Sequence, residues 1–258
     1  MGIIFDGRKF NSKRSPQGEL NNVSEMNRFS EIARDALQGD DYLSFKLTKN
    51  SLVVKSKATR FSGDPTLKTL TIKGSFDDVD PNDEKTWKSA KVDKISYKGK
   101  DGIINVKETG NKGSLGSLYD WENVERFDEF VFRGDDIIYS DKKTRSDHSL
   151  SGYDGDDTFY LYSEEDVEGG KGKDKFIVTK NAVKYKKRKG GDAEGIQIDD
   201  ASSVQGDVVE IVGNESVFNI IGEVQRGGSE PRVVYENESF YLDIYFTKKP
   251  VFADFVTG

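Results

Sequence analysis

Three aspartates, Asp136, Asp157 and Asp174, each end a short turn and lead into an apolar strand. The segments read F-R-G-D-D-I-I from Phe132, G-Y-D-G-D-D-T-F from Gly152 and G-G-K-G-K-D-K-F from Gly169. Glycine at alternate positions lets the backbone take positive φ and turn tightly. Such a turn aims several carbonyl oxygens inward, and the aspartate adds a carboxylate. Oxygen-only ligands, some of them charged, suit a hard cation such as Ca²⁺. The residue two places after each aspartate is large and apolar: Ile138, Phe159 and Phe176. In a short strand its side chain points to the core. Turn and strand in alternation coil into a flat solenoid, the parallel β-roll. A series of ordinary glycine-rich hairpins would carry the same tripeptides and is the competing reading.

The third segment fits G-G-x-G-x-D-x-U-x, with U a large apolar residue, through Gly169, Gly170, Gly172, Asp174 and Phe176. The second fits through Gly152, Gly155, Asp157 and Phe159, with Tyr153 in place of the second glycine. The first keeps Gly134, Asp136 and Ile138. The pattern resembles the calcium-binding nonapeptide of the RTX (repeats-in-toxin) family, over roughly a fifth of the chain. The aspartates are 21 and 17 residues apart, close to the roughly 18 residues of one β-roll turn. They are therefore expected on one edge of the roll, with Ser140–Leu150 and Leu161–Asp166 on the other. In the family each ion sits between stacked turns, so the resemblance implies about two Ca²⁺ ions. The ligands it implies are the carboxylates of Asp136, Asp157 and Asp174 and the carbonyls of Gly134, Gly152, Gly155, Gly169 and Gly172. Gly190 to Ile198 imitates a further repeat, but Gly195 stands where the aspartate belongs, so it reads as a metal-free terminal turn.

The rest of the chain must hold these turns. Val23, Met26, Phe29, Ile32, Ala36 and Leu37 recur at helical spacing, predicting one α-helix over about 22–38. Asn22 is the expected N-cap with Glu25 completing a capping box, and Gly39 the stop. Residues 1–21 are polar and mixed and read as an extended or loosely packed arm. Period-two patterns predict a hairpin at Tyr42–Leu47 and Ser51–Lys55, a strand at Leu70–Phe76, and a hairpin at Ile95–Lys98 and Ile103–Val106. Asp78, Asp80 and Asn82 have the opening spacing of an EF-hand loop. Asp83 and Ser89 stand where glycine and glutamate are required, so this is a solvated acidic loop. Trp121 to Glu125 is similar to the segment that often precedes the first RTX repeat. After the repeats, hairpins are expected at Val208–Val212 with Val217–Ile221 and at Arg232–Tyr235 with Phe240–Phe246. The organisation expected is an N-terminal arm, helix and β region (1–118), an RTX-like β-roll (119–200) and a C-terminal β cap (201–258). The fold class is mainly β, a short parallel β-roll flanked by antiparallel hairpins, with one helix.

Composition restricts function. The 258 residues are 34% hydrophobic and 33% charged, so the core is thin for the length. Net charge is −7, which argues against nucleic acid as the main partner. There is no cysteine, excluding disulfides and thiolate zinc sites. No apolar run reaches the roughly 18 residues of a membrane span. Met1–Phe10 carries no apolar signal-peptide core. Asp254-Phe255-Val256 is similar to the end of type I secretion substrates of the RTX class. His148 is the sole histidine, so an H-E-x-x-H zinc site is impossible. The sequence therefore reads as a non-enzymatic, calcium-dependent extracellular or cell-surface protein, structural or adhesive: a surface-layer, matrix or filament subunit that self-associates. Alternatives are a glycan-binding module, in which the basic run Lys184–Lys189 meets acidic polysaccharide or lipopolysaccharide, a carbohydrate-active enzyme using carboxylates, or a virion structural protein.

Overall fold

The computed structural model describes residues 2–10, 20–57, 66–109, 115–118, 120, 130–141, 149–162, 165–179, 182, 195–201, 205–212, 219–223, 232–236, 241–246 and 256–257. Alternating apolar residues make most of this chain β. The strands are β1 (Ile3–Phe10), β2 (Leu43–Thr48), β3 (Ser51–Ser56), β4 (Leu67–Ser75), β5 (Lys91–Gly99), β6 (Gly102–Glu108), β7 (Ile137–Tyr139), β8 (Ser149–Ser151) and β9 (Thr158–Leu161). They continue as β10 (Glu165–Glu168), β11 (Lys175–Val178), β12 (Gly195–Ala201), β13 (Val208–Ile211), β14 (Asn219–Glu223), β15 (Arg232–Glu236), β16 (Tyr241–Phe246) and β17 (Val256–Thr257). The α-helix α1 (Asn22–Leu37) follows β1, and a 3-10 helix (Glu84–Ser89) lies between β4 and β5.

An 11-stranded sheet runs β17-β13-β11-β9-β7-β1-β6-β5-β4-β3-β2. Its half from β1 to β2 is antiparallel, and its half from β1 to β17 is parallel. A second, six-stranded sheet runs β14-β15-β16-β12-β10-β8, with β8, β10, β12 and β16 parallel. From β7 to β13 the chain alternates between the two sheets at every strand. The inward residues stack in register: Phe5, Ile138, Phe159, Phe176 and Val209 on the larger sheet, Leu150, Val167 and Ile198 on the smaller. All are buried. Phe159 and Phe176 stack with ring centroids 5.2 Å apart.

The loosely packed arm expected over 1–21 is corrected at its start. β1 lies in the middle of the larger sheet, antiparallel to β6 and parallel to β7. Ile3, Phe5 and Phe10 are fully buried. These three alternate with Ile4, Asp6 and polar neighbours, a half-buried strand pattern diluted by charge. Because β1 joins both halves, the sheet runs unbroken across the boundary expected at residue 118.

Helix α1 is capped by Asn21, not Asn22: the Asn21 side chain accepts from the Ser24 N–H at 2.9 Å. Glu25 does not close a capping box but pairs, buried, with Arg28 at 2.8 Å. Asn22 instead reaches the smaller sheet. Its Nδ2 donates to the Ser151 carbonyl (2.8 Å) and its Oδ1 accepts from the Ser151 N–H (3.0 Å). The Ser149 N–H donates to the Leu20 carbonyl. The approach to α1 thus covers the edge that β8 would otherwise leave open. The apolar stripe of α1, with Met26, Phe29 and Ile32, packs over β2 to β4, and Phe29 stacks on Tyr97.

The hairpin expected from Val208–Val212 with Val217–Ile221 does not form. β13 pairs with β11 and β17 in the larger sheet, while β14 belongs to the smaller. Register with Lys175–Val178 buries Val209 in the continuing column, which a local hairpin would not. The β15–β16 hairpin is present.

Candidate metal centre

Each aspartate turn is shaped by its glycines. Gly155, Gly170 and Gly172 have φ of 135°, 95° and 137°. Turns also stack without room for side chains: a Cβ on Gly172 would overlap the Gly155 carbonyl, and one on Gly155 the Gly134 carbonyl. Tyr153, where the motif asks for glycine, still adopts φ 69°. It lies directly under Gly170 in the next turn, whose Cβ would strike the Tyr153 carbonyl. The left-handed tyrosine costs on the order of 1 kcal/mol, offset by packing its ring on Phe132 and the core. Backbone hydrogen bonds lock the layers: Lys171 N–H to the Tyr153 carbonyl (2.6 Å) and Gly155 N–H to the Lys171 carbonyl (2.7 Å).

Asp136, Asp157 and Asp174 form one buried column. Each uses Oδ1 to accept from the backbone one turn back. Asp136 accepts from the Ile3 N–H (2.6 Å), Asp157 from the Asp136 N–H (2.7 Å) and Asp174 from the Asp157 N–H (2.9 Å). Oδ2 of all three is buried without a hydrogen-bond partner. The Oδ2 of Asp157 faces Gly152, and that of Asp174 faces Gly169, the first glycine of its own turn. The Gly169 carbonyl turns toward Gly152 as well. The structure therefore brings Gly152, Asp157, Gly169 and Asp174 together. Gly134, Gly155 and Gly172 stack in a neighbouring line through their carbonyl carbons and oxygens.

Burial dominates the charge state. It pushes Asp136 up to about 8, Asp157 up to about 9 and Asp174 up to about 7, outweighing the lowering effect of the accepted N–H bonds. Neighbouring carboxylates add to the rise; for Asp157 these are Asp136, Asp174 and Asp135. Outside the column, exposed Asp135 and Asp156 bond in the opposite sense, accepting from the Asp156 and Lys173 N–H groups one turn ahead.

A fourth turn completes the column and was not read from sequence. Asp207 Oδ1 accepts from the Asp174 N–H at 2.8 Å, and Gln205 Oε1 accepts from Gly172. Asp200 accepts from the N–H groups of Gly169 (2.7 Å) and Gly170 (2.6 Å). The signal was partial: Asp207-Val208-Val209 repeats the D-x-U ending, but Gln205 stands where the other turns carry glycine, and Gly206, at φ 91°, directly precedes the aspartate. Its distance from Asp174 hid it. The terminal turn expected at 190–198 is corrected accordingly: residues 190–194 lie outside the described residues, and Gly195 opens β12 in the smaller sheet. At the other end, Ile3 supplies the N–H that a preceding turn would give.

Among the described residues, no three His, Cys, Asp or Glu side chains converge on one point. The set is instead one carboxylate per turn with carbonyls around it, which fits a hard cation and not a soft one. His148, Trp121–Glu125, Lys184–Lys189 and Asp254–Phe255 lie outside the described residues. The Asp77–Glu84 loop carries local turn bonds, Asp80 accepting from the Asn82 N–H. No helix among the described residues is long and apolar enough to cross a membrane. No family model, curated protein or solved structure matches the chain.

Proposed function

We propose that the two-sheet parallel region is a short β-roll of the RTX type, and that the protein is a calcium-dependent, extracellular or surface-bound structural or adhesive protein. The observation that carries this is the column of Asp136, Asp157 and Asp174, each with one buried oxygen lacking a hydrogen-bond partner. A buried, unpaired carboxylate oxygen is costly unless a proton or cation meets it. Two things favour the cation: the column repeats along one line, and the absence of a Cβ at Gly152 and Gly169 lets Asp157 Oδ2 and Asp174 Oδ2 lie against the backbone, with the Gly169 carbonyl beside Asp157 Oδ2 at Gly152. The residues that would hold it are these aspartates with carbonyls of Gly134, Gly152, Gly155, Gly169 and Gly172. Bound Ca²⁺ would neutralise the column and add its binding energy to folding. A low-calcium cytoplasm would then leave the chain loose enough for export, and calcium outside would complete it. Self-association belongs to this reading, because β2 ends the larger sheet as an edge strand.

Circular dichroism of the purified chain during a calcium titration from a chelated start tests the proposal. Saturable gain of β signal with a rising thermal midpoint is expected. A spectrum and melting curve indifferent to calcium at pH 8 would sink it.

A further inference from the structure

The antiparallel half carries a second, differently charged surface. Strands β2 to β6 turn Leu52, Val54, Leu70, Ile72, Ile95, Ile104 and Val106 inward to the core. Their opposite face presents Lys46, Lys55, Lys73, Lys94, Lys98 and Lys107, all exposed. Register sets Lys73 directly opposite Lys94, and Lys94 directly opposite Lys107. Like charges facing each other across a ladder destabilise a sheet, so folding does not account for this row. None of the six lysines is ion-paired among the described residues. Two carboxylates lie beside the row. Asp93 sits at the β4–β5 bulge, and Asp6 on β1 is engaged with Arg8 at 2.7 Å. In a chain of net charge −7, this row concentrates positive charge on one sheet face.

We infer that the outer face of β2–β6 is a docking surface for an extended acidic polysaccharide. The face is the open side of five antiparallel strands. Within β2–β6 it carries no aromatic ring, and exposed Tyr42, just before β2, is a single ring at its rim, so it lacks the run of platforms on which single-stranded bases stack. Val53 and Ile103 are its only apolar positions, too little to anchor in a bilayer. Thr69, Thr71, Ser96 and Asn105 stand between the lysines and can hydrogen-bond sugar hydroxyls. Neighbouring strands are about 4.8 Å apart, close to the length of one sugar residue. A polyanionic chain lying across the strands therefore meets one cation per strand along Lys73, Lys94 and Lys107. This surface shares no residue with the aspartate column or with the run Lys184–Lys189.

The test is calorimetric titration of the full-length protein, in calcium and in chelator, with dextran sulfate, hyaluronate and uncharged dextran. Single-stranded DNA and phosphatidylserine vesicles are run alongside. The expected result is salt-sensitive binding to the two acidic polysaccharides and none to dextran. K73Q/K94Q/K107Q should lose about tenfold in affinity, as three exposed ion pairs would give. A control triple at lysines outside these strands, K57Q/K85Q/K100Q, should lose less than half as much. Should the face triple lower the thermal midpoint, Lys94→Glu alone carries the comparison. Equal loss in both triples, tighter binding to DNA or vesicles than to either polysaccharide, or no polyanion binding at low salt overturns the inference. Polysaccharide binding that persists while calcium has no effect would count against the cation reading alone.

Discussion

The aspartate column decides the behaviour of the molecule through one sign. A carboxyl whose folded pKa lies above its unfolded value, about 3.9, stabilises the fold in its protonated form. That stability is complete below the unfolded value and is lost as pH rises toward the folded one. For Asp174, Asp136 and Asp157 the upper limits are about 7, 8 and 9. In chelator, the thermal midpoint should therefore fall between pH 5 and pH 9, and calcium should remove the fall. A flat chelated profile contradicts the column. Asp157→Asn keeps an acceptor for the Asp136 N–H and removes the charge. It should stabilise the chelated protein at pH 8 by about 1–3 kcal/mol and weaken its response to calcium. The glycines separate packing from flexibility. Gly172→Ala drives a Cβ into the Gly155 carbonyl at positive φ and should cost more than about 2 kcal/mol by chemical denaturation. Gly39→Ala, also at positive φ but with open space around it, should cost about 1 kcal/mol. Residue types showed the column, because G-x-D-x-U encodes turn, carboxylate and core contact together. They could not show which oxygen of each aspartate is hydrogen-bonded, since that depends on the turn stacked behind it.

Elements were legible where a period was strong and local. The helix, the β2–β3 and β5–β6 hairpins and the β15–β16 hairpin follow their apolar spacing. Two misreadings share a cause. β1 looked like a polar arm, and β13 like half of a hairpin, because their partners are far away in sequence. β1 pairs with β6 and β7, and β13 with β11 and β17. Long-range pairing leaves no turn signal beside the strand. The role of Asn22 was hidden in the same way: one residue beyond the true cap, it clamps Ser151. Asn22→Ala should remove both of these hydrogen bonds at a cost of about 1–3 kcal/mol. Hydrogen exchange should report it, with faster exchange at Ser149–Ser151 than in β3 or β4. Uniform change across the chain would mean that Asn22 does not guard that edge.

At the scale of the whole molecule, β1 is the joint. Its Phe5 heads the inward column of the parallel half, and its other edge holds β6. Phe5→Ala should cost about 3–5 kcal/mol and should weaken calcium affinity as it lowers the thermal midpoint. Loss of stability with calcium affinity unchanged would show that the halves are uncoupled. The outer face of the antiparallel half carries the row of exposed lysines, and the parallel half carries the buried carboxylate column. The column would then take cations and one sheet face polyanions, a combination suited to a protein that binds in a calcium-bearing acidic matrix.

The most direct measurement is calorimetric calcium titration of the chelator-stripped protein at pH 8, paired with Asp157→Asn. The column should bind about two ions, with proton release that grows as pH falls toward 7, and the variant should lose most of the heat. Absence of saturable heat in the unaltered protein, or a variant that binds calcium equally well, would contradict the assignment of the column as a cation site.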